Sequence, residues 1–163
     1  MKKHLKICTF VFVILTVFSI VFILSNSLKN GEESYEQSKG LVDLIESIFD
    51  PNDTISTEDI NYFVRKVSHI LEFALLGFSV AGMITLICYT KGNHHISLPL
   101  LCGLLVAVID EFIQSFTGRT SSVSDVIIDF VGVICGVLIG ELLVTLKIQK
   151  SSHTSIHSSN QKF

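Results

Sequence analysis

The sequence lacks most of what small soluble domains and common enzymes are built on. Its four cysteines, Cys8, Cys88, Cys102 and Cys135, lie within long apolar runs or at their edges. None falls in an outer loop, so no disulfide framework is expected and the thiols read as small buried hydrophobes. There is no internal repeat, which sets aside solenoids and propellers. No compact His/Cys ligand motif occurs, so neither a metal nor a cofactor is expected. A basic excess suited to nucleic acid is missing as well. Lysine and arginine number 12 against 15 aspartates and glutamates, for a net charge of −3, and no nucleic-acid partner is expected.

What the chain does have is apolar sequence. Of its 163 residues 48% are apolar, and the mean hydropathy of +0.58 places it among membrane proteins. Four runs, at roughly 5–24, 65–90, 96–116 and 123–146, approach or exceed the roughly 20 residues a span requires. The expected fold is all-α, an integral-membrane four-helix bundle over residues 5–146. The Ser/His-rich remainder, 147–163, is expected to be a disordered cytoplasmic tail. His153 and His157, spaced i, i+4 within it, read as part of a solvated tail.

Charge gives the chain a direction. Lys2, Lys3 and Lys6 precede the first run, Lys91, His94 and His95 fall in the turn after the second, and Lys147, Lys150 and Lys162 follow the last. The 25–60 segment instead carries Glu32, Glu33, Glu36, Asp43, Glu46, Asp50, Asp53, Glu58 and Asp59 against Lys29 and Lys39. Because basic flanks stay inside, both termini should be cytoplasmic, with 25–60 and the 117–122 turn outside. Arg65, Lys66 and Arg119 break that rule, which hints that a site employs them. The first run is longer than a signal-peptide core, and Ser25-Asn26-Ser27 is no small-x-small cleavage site, so an uncleaved helix is expected. Leu41, Leu44, Ile45, Ile48 and Phe49 share a helical face, which predicts a short amphipathic helix over Ser38–Phe49 at the membrane interface. Asp50-Pro51-Asn52-Asp53 should stop it. Ser56 through Asp59 then reads as a helix start, so the second span should begin near 57.

Three of the four runs hold strongly polar residues, and all of these lie toward the outer end. A charge at the bilayer centre costs at least about 2.5–3.5 kcal/mol, so such residues point to function by default. Arg65, His69 and Glu72 form one helical stripe, with Lys66 beside it. Asp110 and Gln114 stack one turn apart, with Glu111 at the edge of their sector. Asp125 and Asp129 stack likewise, and their face continues as Gly132, Gly136 and Gly140. Small residues every fourth position let a second helix approach closely, which turns that face into the bundle. Glu72, Asp110, Glu111 and Asp129 all come out about 10 Å deep at 1.5 Å per residue. Arg65, Gln114, Arg119 and Asp125 come out shallower. These ten residues are the predicted ligand-binding set of a shared polar cavity open to the outside. His69, Glu72, Asp110 and Glu111 are the candidates for acid–base work. The carboxylate excess must be met by protonation, a bound cation or a cationic ligand group. Arg65 and Arg119 suit a phosphate or carboxylate. No nucleophilic serine or cysteine is expected in the cluster, Ser68, Ser121, Ser122 and Ser124 reading as helix caps. A salt-bridge network that only locks the bundle is the structural alternative.

The order Arg65-Lys66-x-x-His69-x-x-Glu72, Asp110-Glu111-x-x-Gln114, Gly118-Arg119, Asp125 and then glycine-rich apolar sequence resembles the VanZ-like membrane proteins over about residues 10–142. Ser25-Asn26-Ser27 after the first span resembles them too. Two positions depart from the family's pattern: Phe73 stands where a tyrosine is usual, and Asp129 where an asparagine is usual. The resemblance implies a small Gram-positive-type plasma-membrane protein, in a family named for low-level resistance to teicoplanin, a glycopeptide acting at the cell surface. Three functions fit: a protein that alters the cell surface, a membrane-embedded enzyme on a lipid headgroup or lipid-linked envelope precursor, and a small lipid or ion transporter. The expected partner is a membrane lipid or such a precursor, with homo-oligomerisation for a transporter.

Overall fold

The computed structural model describes residues 2–49, 55–89, 95–119 and 121–160. The stop at Asp50-Pro51-Asn52-Asp53, the turn cations Lys91 and His94, and Lys162 lie outside the described residues. The elements are α1 (Lys2–Ser27), α2 (Gly31–Phe49), α3 (Thr57–Tyr89), α4 (Ser97–Gln114) and α5 (Val123–Asn160). There is no strand among the described residues. Four of the helices are long and apolar enough to cross a membrane, over His4–Ser27, Thr57–Cys88, Ser97–Gln114 and Val123–Lys150.

Local signals account for the starts of α2, α3 and α5. Asn30 caps α2 reciprocally: its Oδ1 accepts from the Glu33 amide at 2.9 Å, and its own amide donates to Glu33 Oε2 at 3.3 Å. That pair begins the helix at Gly31, earlier than the apolar pattern from Ser38 implied. At α3, Ser56 Oγ accepts from the Asp59 amide at 3.2 Å. At α5, Ser122 Oγ accepts from the Asp125 amide at 3.3 Å, so this serine is a cap as expected. Gly118 has φ 73°, a left-handed conformation that favours glycine, and it reverses the chain between α4 and α5. The helical backbone of α5 runs to Asn160, beyond the 146 boundary drawn from the apolar run. Residues 147–160 of the expected tail continue the helix, and 161–163 lie outside the described residues. No glycine or proline falls after Gly140 to break it.

Helix α3 is the axis of the bundle and packs on all four others, most extensively on α5. Its 33 residues make about 50 Å of helix, more than the roughly 30 Å of hydrocarbon. Phe73, Leu76, Val80, Ala81 and Ile84 of α3 form the core with Ile23, Ala107, Val133 and Val137. Lipid removes the hydrophobic drive between helices, so close van der Waals contact must replace it. Glycine supplies that contact. A Cβ at Gly132 would lie 2.5 Å from the Ile70 carbonyl oxygen, and one at Gly140 would lie 2.8 Å from that of Phe78. A Cβ at Gly136 would overlap the Ala74 carbonyl oxygen, and one at Gly77 that of Val133. The backbones of α3 and α5 therefore touch along three turns.

Helix α2 lies against the first turns of α3. Val42 packs with Ile60, Val64 and Ile45, and Ser38 Oγ donates to Asn61 Oδ1 at 2.6 Å. It thus roofs the end of the bundle where the polar residues of the spans gather.

Candidate functional site

Helices α1 and α4 meet at Asp110, which is fully buried. Ser27 Oγ, in the last turn of α1, hydrogen-bonds Asp110 Oδ1. Gln114, one turn further along α4, donates from Nε2 to Asp110 Oδ2 at 2.6 Å. Asn26, next to Ser27, donates from Nδ2 to Glu72 Oε1 of α3 at 3.2 Å. Two neighbouring residues of α1 thus hold carboxylates from two other helices.

Helices α3 and α5 meet at His69. Its Nδ1 is 3.3 Å from Asp129 Oδ1 and 3.9 Å from Asp110 Oδ2. Its ring stacks on Phe73 with centroids 6.5 Å apart and planes 14° from parallel. One nitrogen of α3 therefore faces carboxylates from α4 and α5 together. Asp129 is 1% exposed, and its second oxygen finds no hydrogen-bond donor among the described residues. Nearer the end of the bundle, Lys66 pairs with Asp125 of α5 and lies 5.2 Å from the centre of the Tyr62 ring. Glu111 Oε2 accepts from the Ser122 amide at 3.2 Å, tying α4 to the start of α5.

Two cavities open among these groups. The larger, about 180 Å³, is lined by Tyr62, Arg65, Lys66, His69, Glu111, Gln114, Arg119, Ser122, Asp125 and Asp129. The second, about 160 Å³, lies toward α1 and α2 and includes Asn26, Ser38, Glu72 and Ser68 in its wall. Arg65, His69 and Arg119 line both. The Nε atoms of Arg65 and Arg119 are buried and have no acceptor among the described residues. Burial, and after it the like charge of Arg65, pulls the Arg119 guanidinium below its ordinary pKa, against Asp110, Glu111 and Asp125. Two guanidiniums thus stand near each other, each with its Nε unpartnered, on walls common to two cavities.

The family model described as VanZ/LLP1 matches residues 10–144. The chain belongs to the VanZ/LLP1 family. No curated protein and no solved structure matches it. Every polar side chain described above lies within the matched stretch.

In this VanZ/LLP1 member the ten residues singled out from the sequence come together. Arg65, Lys66, His69, Glu72, Glu111, Gln114, Arg119, Asp125 and Asp129 line the two cavities. Asp110 lies behind them, between Gln114 and His69. Asn26 and Ser27, which bond the carboxylates, and Tyr62, which lines the larger cavity, were not singled out for the site from the sequence. The first span looks featureless by composition, and its only signal was the polar triplet Ser25-Asn26-Ser27 at its end. One serine not read as a cap, Ser27, joins the cluster: it is 2% exposed and bonded to Asp110. Its Oγ also lies 2.9 Å from the Ile23 carbonyl and lines neither cavity, so it orients a carboxylate and is not placed to attack a ligand. Three of the predicted residues come closer together than face and depth alone implied. His69, Asp110 and Asp129 offer ligand atoms within 4.8 Å of one another, each from a different helix.

Proposed function

We propose that this VanZ/LLP1 family member is a multi-pass plasma-membrane protein with both termini cytoplasmic and its polar end facing outward. There it holds the phosphate-bearing headgroup of a membrane lipid or lipid-linked envelope precursor, and so lowers the access of teicoplanin-type glycopeptides to the cell surface. One observation carries the headgroup: the buried, unpartnered Nε atoms of Arg65 and Arg119 on the wall common to both cavities. A buried donor left unpaired costs about 1–3 kcal/mol, more when charged. A phosphate bridging the two arginines would satisfy both donors and cancel their repulsion, in the bidentate geometry that guanidinium favours. Glu72, in the second cavity, is suited to an amine on the same headgroup. The lysine asymmetry of the sequence supports the orientation.

Expression in a susceptible Gram-positive host tests the reading. The wild-type chain should raise the teicoplanin inhibitory concentration, and Arg119→Ala and Glu72→Gln should abolish the rise at equal membrane levels. Mass spectrometry of the purified protein should find a phosphate-bearing lipid that Arg65→Ala/Arg119→Ala loses. An unchanged phenotype and an unchanged lipid complement in these variants would return the cluster to a bundle-locking role. A second reading, an enzyme acting on the same headgroup, is favoured by the position of His69 between two carboxylates, where an imidazole can move a proton. Its sign would be consumption of the bound lipid by the purified protein, lost in His69→Gln.

A further inference from the structure

We infer that His69, Asp110 and Asp129 form a binding site for a divalent cation of the Mn²⁺ or Zn²⁺ class, with open coordination positions facing the larger cavity. The donor set suits such an ion, since imidazole favours borderline metals and carboxylate favours harder ones. Donors about 2.0–2.2 Å from a metal sit roughly 3.0–3.5 Å from one another. His69 Nδ1 and Asp129 Oδ1, at 3.3 Å, already have that separation. His69 Nδ1 and Asp110 Oδ2, at 3.9 Å, need to close by less than about 1 Å.

Two independent observations separate this site from a simple hydrogen-bonded triad. The first is the second oxygen of Asp129, on a carboxylate 1% exposed, which has no donor among the described residues. An imidazolium at His69 cannot supply one, because its Nδ1 already faces Oδ1. Leaving a buried carboxylate oxygen unsatisfied is costly, and a cation held by both oxygens of Asp129 relieves it without needing a hydrogen. The second is charge. Two carboxylates and a neutral imidazole balance a divalent ion, whereas an imidazolium leaves one negative charge over. Across the whole cluster, the five carboxylates Glu72, Asp110, Glu111, Asp125 and Asp129 outnumber the three fixed cations Arg65, Lys66 and Arg119 by two.

The surroundings match what metal ligands require. Ser27 and Gln114 bond the two oxygens of Asp110 and fix its orientation, as outer partners of a ligating carboxylate do. The His69 ring lies nearly parallel to that of Phe73, with centroids 6.5 Å apart. With three protein ligands, the positions left over are those at which metal sites take water or a ligand oxygen. His69 and Asp129 line the larger cavity, so those positions face the two arginines. The inference stands without the headgroup reading, because the cation is measured with no phosphate present.

The test uses the full chain in detergent, stripped with chelator and titrated with Mn²⁺ in phosphate-free buffer, with electron paramagnetic resonance reading free and bound ion. Saturation at one Mn²⁺ per chain, with nitrogen coupling in the pulsed spectrum, is expected. His69→Ala should remove the nitrogen coupling. His69→Ala and Asp129→Asn should each weaken binding by more than the ~10–100-fold that loss of an outer partner costs, and Ser27→Ala should fall within that range. Asp43→Asn, on the exposed face of α2, should bind as the wild type does. If a site variant fails to fold, the wild-type nitrogen coupling and a rise in thermal midpoint with Mn²⁺ decide the matter. Absence of saturable binding, bound Mn²⁺ with no nitrogen coupling, or unchanged affinity in folded His69→Ala would overturn the inference.

Discussion

Gly132→Ala should loosen the site without touching any polar group. The added Cβ would lie 2.5 Å from the Ile70 carbonyl oxygen, whereas an ordinary contact begins near 3.4 Å, so the helices must part by about 0.9 Å there. Ile70 follows His69 in α3, and Gly132 lies one turn after Asp129 in α5. The displacement therefore falls on the His69–Asp129 contact, which would open from 3.3 Å to about 4.2 Å, past ion-pair range. Gly40→Ala provides the internal reference. Gly40 is also helical, but nothing lies within 4 Å of its Cβ position. There the change should only stabilise, by about 0.5–1 kcal/mol of helix propensity. Overpacking of a tight core costs about 1–3 kcal/mol, so Gly132→Ala should fall below Gly40→Ala by that amount. For a chain of this size the gap corresponds to about 2–12 °C in thermal midpoint. Circular dichroism in detergent is the assay, since the chain has no tryptophan. A Gly132→Ala midpoint equal to or above that of Gly40→Ala would refute the close packing, and with it the account of how α5 delivers Asp129.

Two further expectations concern orientation and pairing. In a cysteine-free background, Lys39→Cys should react with an impermeant thiol reagent on intact cells and His95→Cys only after permeabilisation; the reverse pattern would put the site on the cytoplasmic side. Lys66 and Asp125 pair across α3 and α5 while both remain partly exposed, so a double-mutant cycle with Lys66→Met and Asp125→Leu should give a coupling of about 0.5–3 kcal/mol. A value indistinguishable from zero would mean that the pair adds nothing to the α3–α5 interface.

The bundle and most of the site were legible in the sequence because lipid makes polar residues conspicuous. His69, Glu72, Asp110 and Asp129 stand out for the same reason that they are costly, and helical period alone places them on inward faces. The glycine stripe gave the direction of α5 in the same way. What escaped was carried by residues whose signal is weak or not local. Ser27 hides at the end of an apolar helix because a lone serine there forms no pattern, and no periodicity links it to Asp110, 83 positions away. The length of α2 was missed because Asn30 and Glu33 form a cap within a stretch that reads as a charged loop. A shared cavity for His69, Asp110 and Asp129 was expected from face and depth, but not the approach of their ligand atoms to within 4.8 Å, because each rides on its own helix.

The glycines also divide the chain by how a loss could be repaired. A side chain at Gly82 would meet the Phe12 ring, and one at Gly103 would meet the Val133 isopropyl group. Both obstacles are side chains, so a compensating change such as Phe12→Leu or Val133→Ala can restore the fit, and lineages can exchange bulk between these helices. At Gly132, Gly136 and Gly140 the nearest obstacle is main chain. No codon change in α3 can shrink a carbonyl group. A genetic selection for suppressors should therefore return partner-helix revertants for the first pair of positions and only same-site revertants for the other three.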